Sequence, residues 1–233
     1  MVHKRFVAFV GSSDFGNLSK AVSGTFILPI NFALQSACAG NKRISSDRMM
    51  QKPFKPSKEQ LENAAGKKVP DLIEHGLKVL FCGINHSLYS AAVGHHFARP
   101  GNRFWPTLFA AGFTDRLISP FEEDELLLHG YGITNLVRRA TASADELAKE
   151  EITQGALSLK RRVLKFRPRF VAVLGISAYR TAFQRPGATI GLQQDDLIGD
   201  SRLWVLPNPS GLNAHYQRAD LARLFRELRV MAG

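Results

Sequence analysis

Two polar segments, each directly after an apolar run, contain the side chains best suited to chemistry. The first includes Asn85, His86 and Ser90 and reaches an aromatic ring at Phe97, and the second begins at Asn208. Amide, imidazole and hydroxyl groups can donate and accept hydrogen bonds along the edge of a ring, and an aromatic face can stack on that ring. The combination predicts a site for a flat heterocycle that is stacked and read along its edge.

Both polar segments begin where a predicted strand ends. Val79–Cys82 is an apolar run of strand length that stops at Gly83, and Leu203–Leu206 is a second run of this kind. Ligands of parallel α/β sheets bind beyond the carboxyl ends of the strands. We therefore expect the two segments to face one cleft.

The rest of the chain alternates strand and helix patterns. Strand patterns occur at Phe170–Leu174 and, as a short strand or turn, at Gly132–Val137. This alternation predicts an α/β fold with a parallel or mostly parallel sheet that is covered on both faces. Helices are predicted at residues 57–65, 104–112, 122–129, 144–166, 177–183 (capped by Ser177) and 216–231, the last with a stripe of Tyr216, Ala219, Leu224, Leu228 and Met231.

Composition favours a globular domain with a partner rich in phosphate. The chain has 233 residues, of which 45% are hydrophobic, so one domain with a real core and an appendage is expected. The 31 Lys and Arg outnumber the 20 Asp and Glu, which gives a net charge of +11. Such a charge favours binding to phosphates. No apolar run reaches the length of a membrane span.

Cysteine and histidine usage predicts neither a disulfide framework nor a metal site. Cys38 and Cys82 lie far apart in the sequence, which favours a reducing compartment. There is no CxxC spacing, and His95 and His96 are adjacent, so they should point in different directions. We expect neither a metal nor an organic cofactor.

Three regions differ in composition. Residues 1–48 contain six basic and two acidic residues, and we expect a disordered arm or a start site assigned too far upstream, with Met49 or Met50 as the alternative initiator. Residues 49–77 read as a linker with a short helix, in which Ser57 and Gln60 have the spacing of a capping box. Residues 78–233 form the main predicted domain.

Three motifs together resemble the mismatch-specific uracil/thymine DNA glycosylase family of the uracil-DNA glycosylase superfamily. They are Gly83–Asn85 (GIN), Ala98–Trp105 (ARPGNRFW) and Asn208–Asn213 (NPSGLN). The resemblance covers Lys78 to the C-terminus and implies a three-layer α/β/α sandwich. It also implies a monomeric, monofunctional glycosylase that flips uracil out of double-stranded DNA, with G·U mismatches favoured, and hydrolyses the N-glycosidic bond to leave an abasic site in base excision repair. A cytoplasmic, DNA-associated location would suit such an enzyme.

The resemblance also implies a role for each motif residue. Asn85 would position the attacking water, since an amide cannot take a proton at neutral pH, and Phe97 would stack on the flipped base. Asn102 and Arg103 would support the loop. Ile84, Ser90 and Asn208 would line the base pocket, while Gly211, Leu212 and Asn213 would form the wedge that enters the duplex, glycine letting the backbone approach DNA.

The chain departs from the family pattern directly after Asn85. His86 and Ser87 stand where most members have Pro-Gly, and Tyr89 replaces a small residue. These bulkier groups should narrow the pocket and favour uracil over thymine. The imidazole of His86 has two possible roles: it donates to the developing uracil anion as a catalytic group, or it only binds the loop backbone.

Two other function classes fit parts of the same sequence. A protein that recognises damaged or mismatched DNA with little turnover would share the motifs and the basic charge. A small-molecule enzyme of nucleotide metabolism would share the fold but leave the basic surface without a use. Turnover of a uracil-containing oligonucleotide separates the first class from an enzyme, and salt-dependent DNA affinity excludes the second.

Overall fold

The computed structural model of the protein describes residues 55–233, so the expectations for residues 1–48, including Cys38 and the alternative starts, lie outside the described residues. Two 3₁₀ turns occur at Pro120–Glu122 and Ala144–Glu146. The described strands are β1 (Val79–Gly83), β2 (Tyr131–Asn135), β3 (Phe170–Leu174), β4 (Gly191–Ile198) and β5 (Ser201–Leu206). The described helices are α1 (Lys58–Glu62), α2 (Leu88–Val93), α3 (Phe104–Ala111), α4 (Glu125–Leu128), α5 (Lys149–Phe166), α6 (Ile176–Phe183) and α7 (Arg218–Ala232).

The five described strands form one sheet in the order β2-β1-β3-β5-β4. Every neighbouring pair is parallel except β4 and β5, which are antiparallel. All residues of β1, β2 and β3 are buried, as expected for strands covered on both faces. The predicted α/β fold with a mostly parallel central sheet is confirmed.

Alternate residues of β1 enter two hydrophobic cores, one on each face of the sheet. Phe81 packs with Phe104 of α3 and Phe225 of α7 in the first core. Leu80 belongs to the second core, together with residues of α5 and α6. Because successive side chains of a strand point to opposite faces, a continuous apolar run supplies both cores at once. This arrangement produces the three layers.

Aromatic packing around Phe81 fixes the first layer of helices. The Phe81 ring makes edge contacts with Phe104 and Phe113, at centroid distances of 5.4 and 5.2 Å. It also stacks on Phe225, at 6.1 Å. Such ring pairs stabilise a core beyond their buried area alone. The start of α3, and the loop that precedes it, are therefore held against the sheet.

The structure differs from the predicted elements in several places. Strand β4 has no counterpart in the predictions because its sequence, GLQQDDLI, contains no apolar run, and its register shifts between Leu192 and Leu197. Residues 122–129 form only the end of a 3₁₀ turn and the short α4. Helix α6 is capped by Gly175, whose φ of 130° ends β3, so Ser177 lies inside the first turn and is not the cap.

The stripe predicted for α7 was partly wrong. Ala219 and Met231 are exposed, whereas Leu221 and Phe225 are fully buried beside Leu224. The predicted capping box of α1 is present, with Gln60 N donating to Ser57 Oγ at 3.2 Å and Ser57 N donating to Gln60 Oε1 at 2.8 Å. Among the residues described, no helix is both long and apolar enough to cross a membrane.

Gly155 provides a test of how tightly α5 packs on the sheet. A Cβ at this position would lie 2.7 Å from the carbonyl oxygen of Leu136, so Gly155→Ala should lower the free energy of unfolding by about 1–3 kcal/mol despite the better helix propensity of alanine. Urea unfolding of the purified protein measures this change. Gly187→Ala is the matched control, because a Cβ there meets nothing within 4 Å. Equal stability of the two variants would contradict the packing argument.

Candidate functional site

A cleft of about 460 Å³ lies beyond the carboxyl ends of the parallel strands. It is lined by residues that follow β1, β2, β3 and β5. Gly211 and Tyr89 are not among its lining residues. The other predicted site residues do line it, namely Ile84, Asn85, His86, Ser90, Phe97, Asn208, Leu212 and Asn213.

Gly83, at the end of β1, lies against both the Asn135 amide of β2 and the Phe97 ring. It pairs with Asn135 in the register of β1 and β2. A Cβ on Gly83 would lie 2.3 Å from Asn135 Oδ1, which is a clash, and 3.2 Å from Cζ of Phe97, which is a tight contact. The end of β1 must therefore be glycine for the amide and the ring to approach it.

Asn135 is a cleft residue that the sequence analysis missed. It is 2% exposed and is the last residue of β2. The rule that selected Asn85, a polar residue at the carboxyl end of a buried strand, applies equally to Asn135. Asn135 was not selected because the segment around it, Gly132–Val137, was predicted only as a short strand or turn.

Hydrogen bonds determine which end of the Asn85 amide faces the cleft. Asn85 Nδ2 lies 2.6 Å from Thr141 Oγ1 and 3.3 Å from the carbonyl oxygen of Arg139. The Thr141 hydroxyl donates its proton to the carbonyl of Ser143 at 2.6 Å, so its oxygen can only accept from Asn85. Asn85 Oδ1 has no donor among the described residues and remains as an acceptor in the cleft.

The Phe97 ring is presented by a loop in an uncommon conformation. Phe97 has a φ of 52°, a value that is unfavourable for a bulky residue and is typical of functional sites. Its ring stacks on Phe104 at a centroid distance of 4.1 Å. The backbone on either side is anchored, since Ala98 N donates to Ser90 Oγ at 3.1 Å and His96 N donates to Glu123 Oε2 at 2.8 Å.

The adjacent histidines of this loop have different partners. His95 Nδ1 lies 3.0 Å from Glu123 Oε1, whereas His96 Nε2 donates to the carbonyl oxygen of Pro70 at 2.9 Å. Each ring thus anchors the loop to a separate element. Within residues 55–233, no group of three or more His, Cys, Asp and Glu side chains is arranged to hold a metal ion.

His86 is a buried, neutral imidazole. It is 3% exposed, its Nε2 lies 3.3 Å from Asn135 Nδ2, and its ring centroid is 5.1 Å from that of His96. Burial, with smaller contributions from His96 and Arg138, lowers the pKa of His86 from 6.5 to about 3. The ring is therefore uncharged near neutral pH, and its Nδ1 has no partner among the described residues.

Arg103 holds the loop that follows β5. Its guanidinium donates to the carbonyl oxygens of Tyr216 at 2.7 Å, Ser210 at 2.6 Å and Asn213 at 2.9 Å. Arg103 N also donates to the carbonyl of Pro209. Charge-assisted hydrogen bonds of this kind are among the stronger ones in proteins. Asn102 supports its own loop, as predicted, because its Oδ1 accepts from Phe104 N, whereas Arg103 supports the loop that follows β5.

The same loop places an apolar side chain at the rim of the cleft. Asn208 Oδ1 accepts from Ser210 N at 3.0 Å, which leaves Asn208 Nδ2 without a partner in the described residues. Leu212 is 79% exposed. A Cβ on Gly211 would lie 2.6 Å from the carbonyl oxygen of Gly101, so the contact between these two loops already requires glycine at this position.

The chain matches the sequence model of a known superfamily and resembles a solved structure. The sequence model of the uracil DNA glycosylase superfamily matches residues 70–229, well over half of the chain. The match contains all the predicted site residues. The solution NMR structure of a "putative Uracil DNA glycosylase" from Methanosarcina acetivorans superposes with a TM-score of 0.47 and 21% sequence identity, covering 70% of this chain and 98% of that one.

The buried His86 predicts a pH dependence of stability. Between pH 6.5 and 3 the unfolded chain binds a proton at this residue and the folded chain does not, so stability is fully present above pH 6.5 and is lost as the pH falls. Replacing the ring removes this loss. His86→Met should therefore reduce the fall in unfolding free energy between pH 6.5 and pH 5 by up to about 2 kcal/mol.

Urea unfolding at several pH values measures this difference between the wild-type protein and His86→Met. His75→Met, at an exposed histidine, is the matched control and should follow the wild-type curve. Parallel curves for the wild type and His86→Met would show that folding does not lower the pKa of His86.

Proposed function

The chain belongs to the uracil DNA glycosylase superfamily, and we propose that it is a monofunctional glycosylase that removes uracil from double-stranded DNA, with G·U mismatches as the preferred context. The observation that carries the proposal is the oriented amide of Asn85, which presents Oδ1 to a cleft that is also lined by a stacking ring and by four further asparagine side chains. These are the parts needed to bind a flipped base and to direct water at its sugar.

In the proposed reaction the attacking water is aligned by Asn85. Oδ1 accepts one hydrogen of the water and directs a lone pair of its oxygen at C1′ of the flipped nucleotide. The bond from C1′ to N1 breaks, its electron pair leaves with uracil, and a bond from the water oxygen to C1′ forms. Because an amide takes no proton, the water's proton passes to solvent, and cleavage depends on stabilising the departing uracil anion.

The remaining polar groups of the cleft suit the base. The amide of Asn135 has a donor and an acceptor side by side, which matches the N3–H of uracil and a neighbouring carbonyl oxygen. Asn208 Nδ2 is free to donate to another carbonyl, where negative charge collects as the bond breaks. Phe97, with Phe104 behind it, provides the stacking face. No metal is required for any of these steps.

The rim of the cleft suits a bent or opened duplex. Leu212 is an exposed apolar side chain on a loop that Arg103 fixes, so it can fill the space left by the flipped base with a small loss of entropy. Arg99, also exposed, lines the cleft and can contact phosphate.

Selection against thymine would depend on the residues next to Asn85. His86 and Ser87 line the cleft, whereas Tyr89 does not. Of the three residues expected to narrow the base pocket, only His86 and Ser87 can therefore do so. A methyl group at C5 needs space that these side chains occupy. We therefore propose that thymine is a poor substrate.

Base release from matched oligonucleotides under single-turnover conditions tests the function. We expect release from G·U, slower release from A·U and single-stranded uracil, and poor release from G·T. Asn85→Ala should slow uracil release by about 10²-fold or more, the cost of removing one oriented polar group at a reacting centre. Asn63→Ala, at an exposed position after α1, is the matched control. Binding without release from any substrate would instead indicate a damage-recognition protein.

Thr141 provides a second test, because it orients the Asn85 amide. Thr141→Val should slow uracil release about tenfold, the effect of losing one net hydrogen bond, whereas Thr141→Ser should be near normal. The serine variant keeps the hydroxyl that accepts from Asn85 Nδ2, so it separates loss of the hydrogen bond from a change of side-chain shape. Normal uracil release by a folded Thr141→Val protein would show that Thr141 does not orient Asn85.

A further inference from the structure

We propose that Lys67 and Lys68 bind phosphates of the duplex that flanks the flipped nucleotide, on the side of the cleft opposite Leu212. This inference rests on the proposed function, since it assumes that a duplex lies over the cleft with one nucleotide inside it. It assigns DNA contacts to a segment that adds no group to the base pocket or to the reacting centre.

Residues 67–72, which we call the flank segment, run along the outer side of β2. Leu72 and Ile133 form an antiparallel bridge, in which each backbone N–H donates to the opposite carbonyl, at 2.9 and 2.7 Å. One residue further towards the cleft, Thr134 Oγ1 donates to Asp71 Oδ1 at 2.9 Å. Because the flank segment is antiparallel to β2, its first residues lie at the carboxyl end of the strands, where the cleft opens.

The start of the flank segment is joined to the wall of the cleft. Gly66 N donates to the carbonyl oxygen of Ala140 at 3.0 Å, and Ala140 N donates to the carbonyl oxygen of Lys67 at 2.9 Å. The residue after Ala140, Thr141, lines the cleft. Val69 is 1% exposed and packs in a small apolar cluster. The backbone that carries the two lysines is therefore fixed, and it lies beside the cleft.

Both lysines have a positive charge that the protein does not neutralise. Lys67 and Lys68 are exposed, and neither forms an ion pair with another described residue. The carboxylates nearest in sequence are engaged elsewhere, since Glu62 lies 3.7 Å from Lys58 Nζ and the Asp71 side chain is 9% exposed and faces inward. Two such charges beside a cleft attract a polyanion, and each phosphate that they neutralise releases counterions.

The strand order places the flank segment and the loop of Leu212 on opposite sides of β1. That loop follows β5, which is two strands from β1, and the flank segment lies outside β2, two positions from β1 in the other direction. At roughly 4.8 Å per position, the flank segment is about 10 Å from the end of β1, where Asn85 lies. A duplex rises about 3.4 Å per base pair, so the lysines face phosphates about three base pairs from the flipped nucleotide.

The test measures how salt weakens binding to a non-cleavable duplex that contains 2′-fluoro-deoxyuridine opposite guanine. The double variant Lys67→Gln/Lys68→Gln should reduce the slope of log affinity against log salt concentration by about 1.8, which is about 0.9 for each phosphate contact. Between about 50 and about 200 mM salt, the wild type should therefore lose about tenfold more affinity than the double variant. Fluorescence anisotropy of the labelled duplex gives both slopes.

Lys160→Gln/Arg161→Gln is the matched control. It also removes two exposed positive charges, but from the second half of α5, which leads away from the cleft towards the start of β3. Its slope should equal that of the wild type. An equal fall in slope for the two double variants, or an unchanged slope for Lys67→Gln/Lys68→Gln, would overturn the proposal.

Shortened duplexes test where the contact lies. The difference between the wild type and Lys67→Gln/Lys68→Gln should disappear when the duplex ends about two base pairs from the modified nucleotide on one side, and should remain when only the other side is shortened. An equal difference with both shortened duplexes would overturn the proposal, because the lysines would then act only through the net charge of the protein. A wild type that binds these duplexes but releases no uracil from a cleavable one contradicts the proposed function alone.

Discussion

The whole cleft depends on the absence of a side chain at Gly83. Because this position has no Cβ, the Asn135 amide from the neighbouring strand and the Phe97 ring from the following loop can both close onto the end of β1. A Cβ there would displace the Asn135 amide from its position in the cleft and press on the Phe97 ring. The glycine that ends the strand in the sequence is therefore also the contact point around which the site is assembled.

Polar anchors, more than apolar packing, give the loops around this point their shape. Glu123 binds the backbone at His96, Ser90 binds the backbone at Ala98, and the carbonyl of Pro70 binds the His96 ring. Each such hydrogen bond contributes about 1 kcal/mol net. Together they hold Phe97 at its positive φ, a conformation that is unfavourable for this residue in an unconstrained chain. The hydrophobic cores hold the sheet and helices together, and these hydrogen bonds position the side chains that line the cleft.

Apolar runs and strand ends were sufficient to predict most of the fold and much of the cleft. Strands β1, β3 and β5 were predicted because buried parallel strands are continuously apolar, and the side chains after β1 and β5 do meet. Strand β4 could not be predicted, because an edge strand with polar side chains forms through its backbone pairing with β5. The position of Ser177 was misjudged because the left-handed Gly175 starts the helix earlier.

The chemistry of individual site residues was harder to predict, since it depends on neighbours distant in sequence. The environment of His86 is set by Asn135, His96 and burial, and only a folded chain brings these together. The orientation of Asn85 likewise depends on Thr141, 56 residues further along the chain. Residue type and motif spacing identify which groups can act, whereas hydrogen-bond partners decide how each one is presented.

The clamp made by Arg103 has a consequence for how the protein can evolve or be redesigned. Its guanidinium contacts main-chain carbonyl oxygens alone, and every amino acid has one. Side-chain hydrogen bonds of Asn208, Ser210 and Asn213 also fix the path of the loop. Gly211 is fixed as well, because its contact with Gly101 admits no Cβ. Leu212, by contrast, projects from the tip and is 79% exposed, so this apolar side chain can be exchanged for another residue while the backbone that carries it keeps its path.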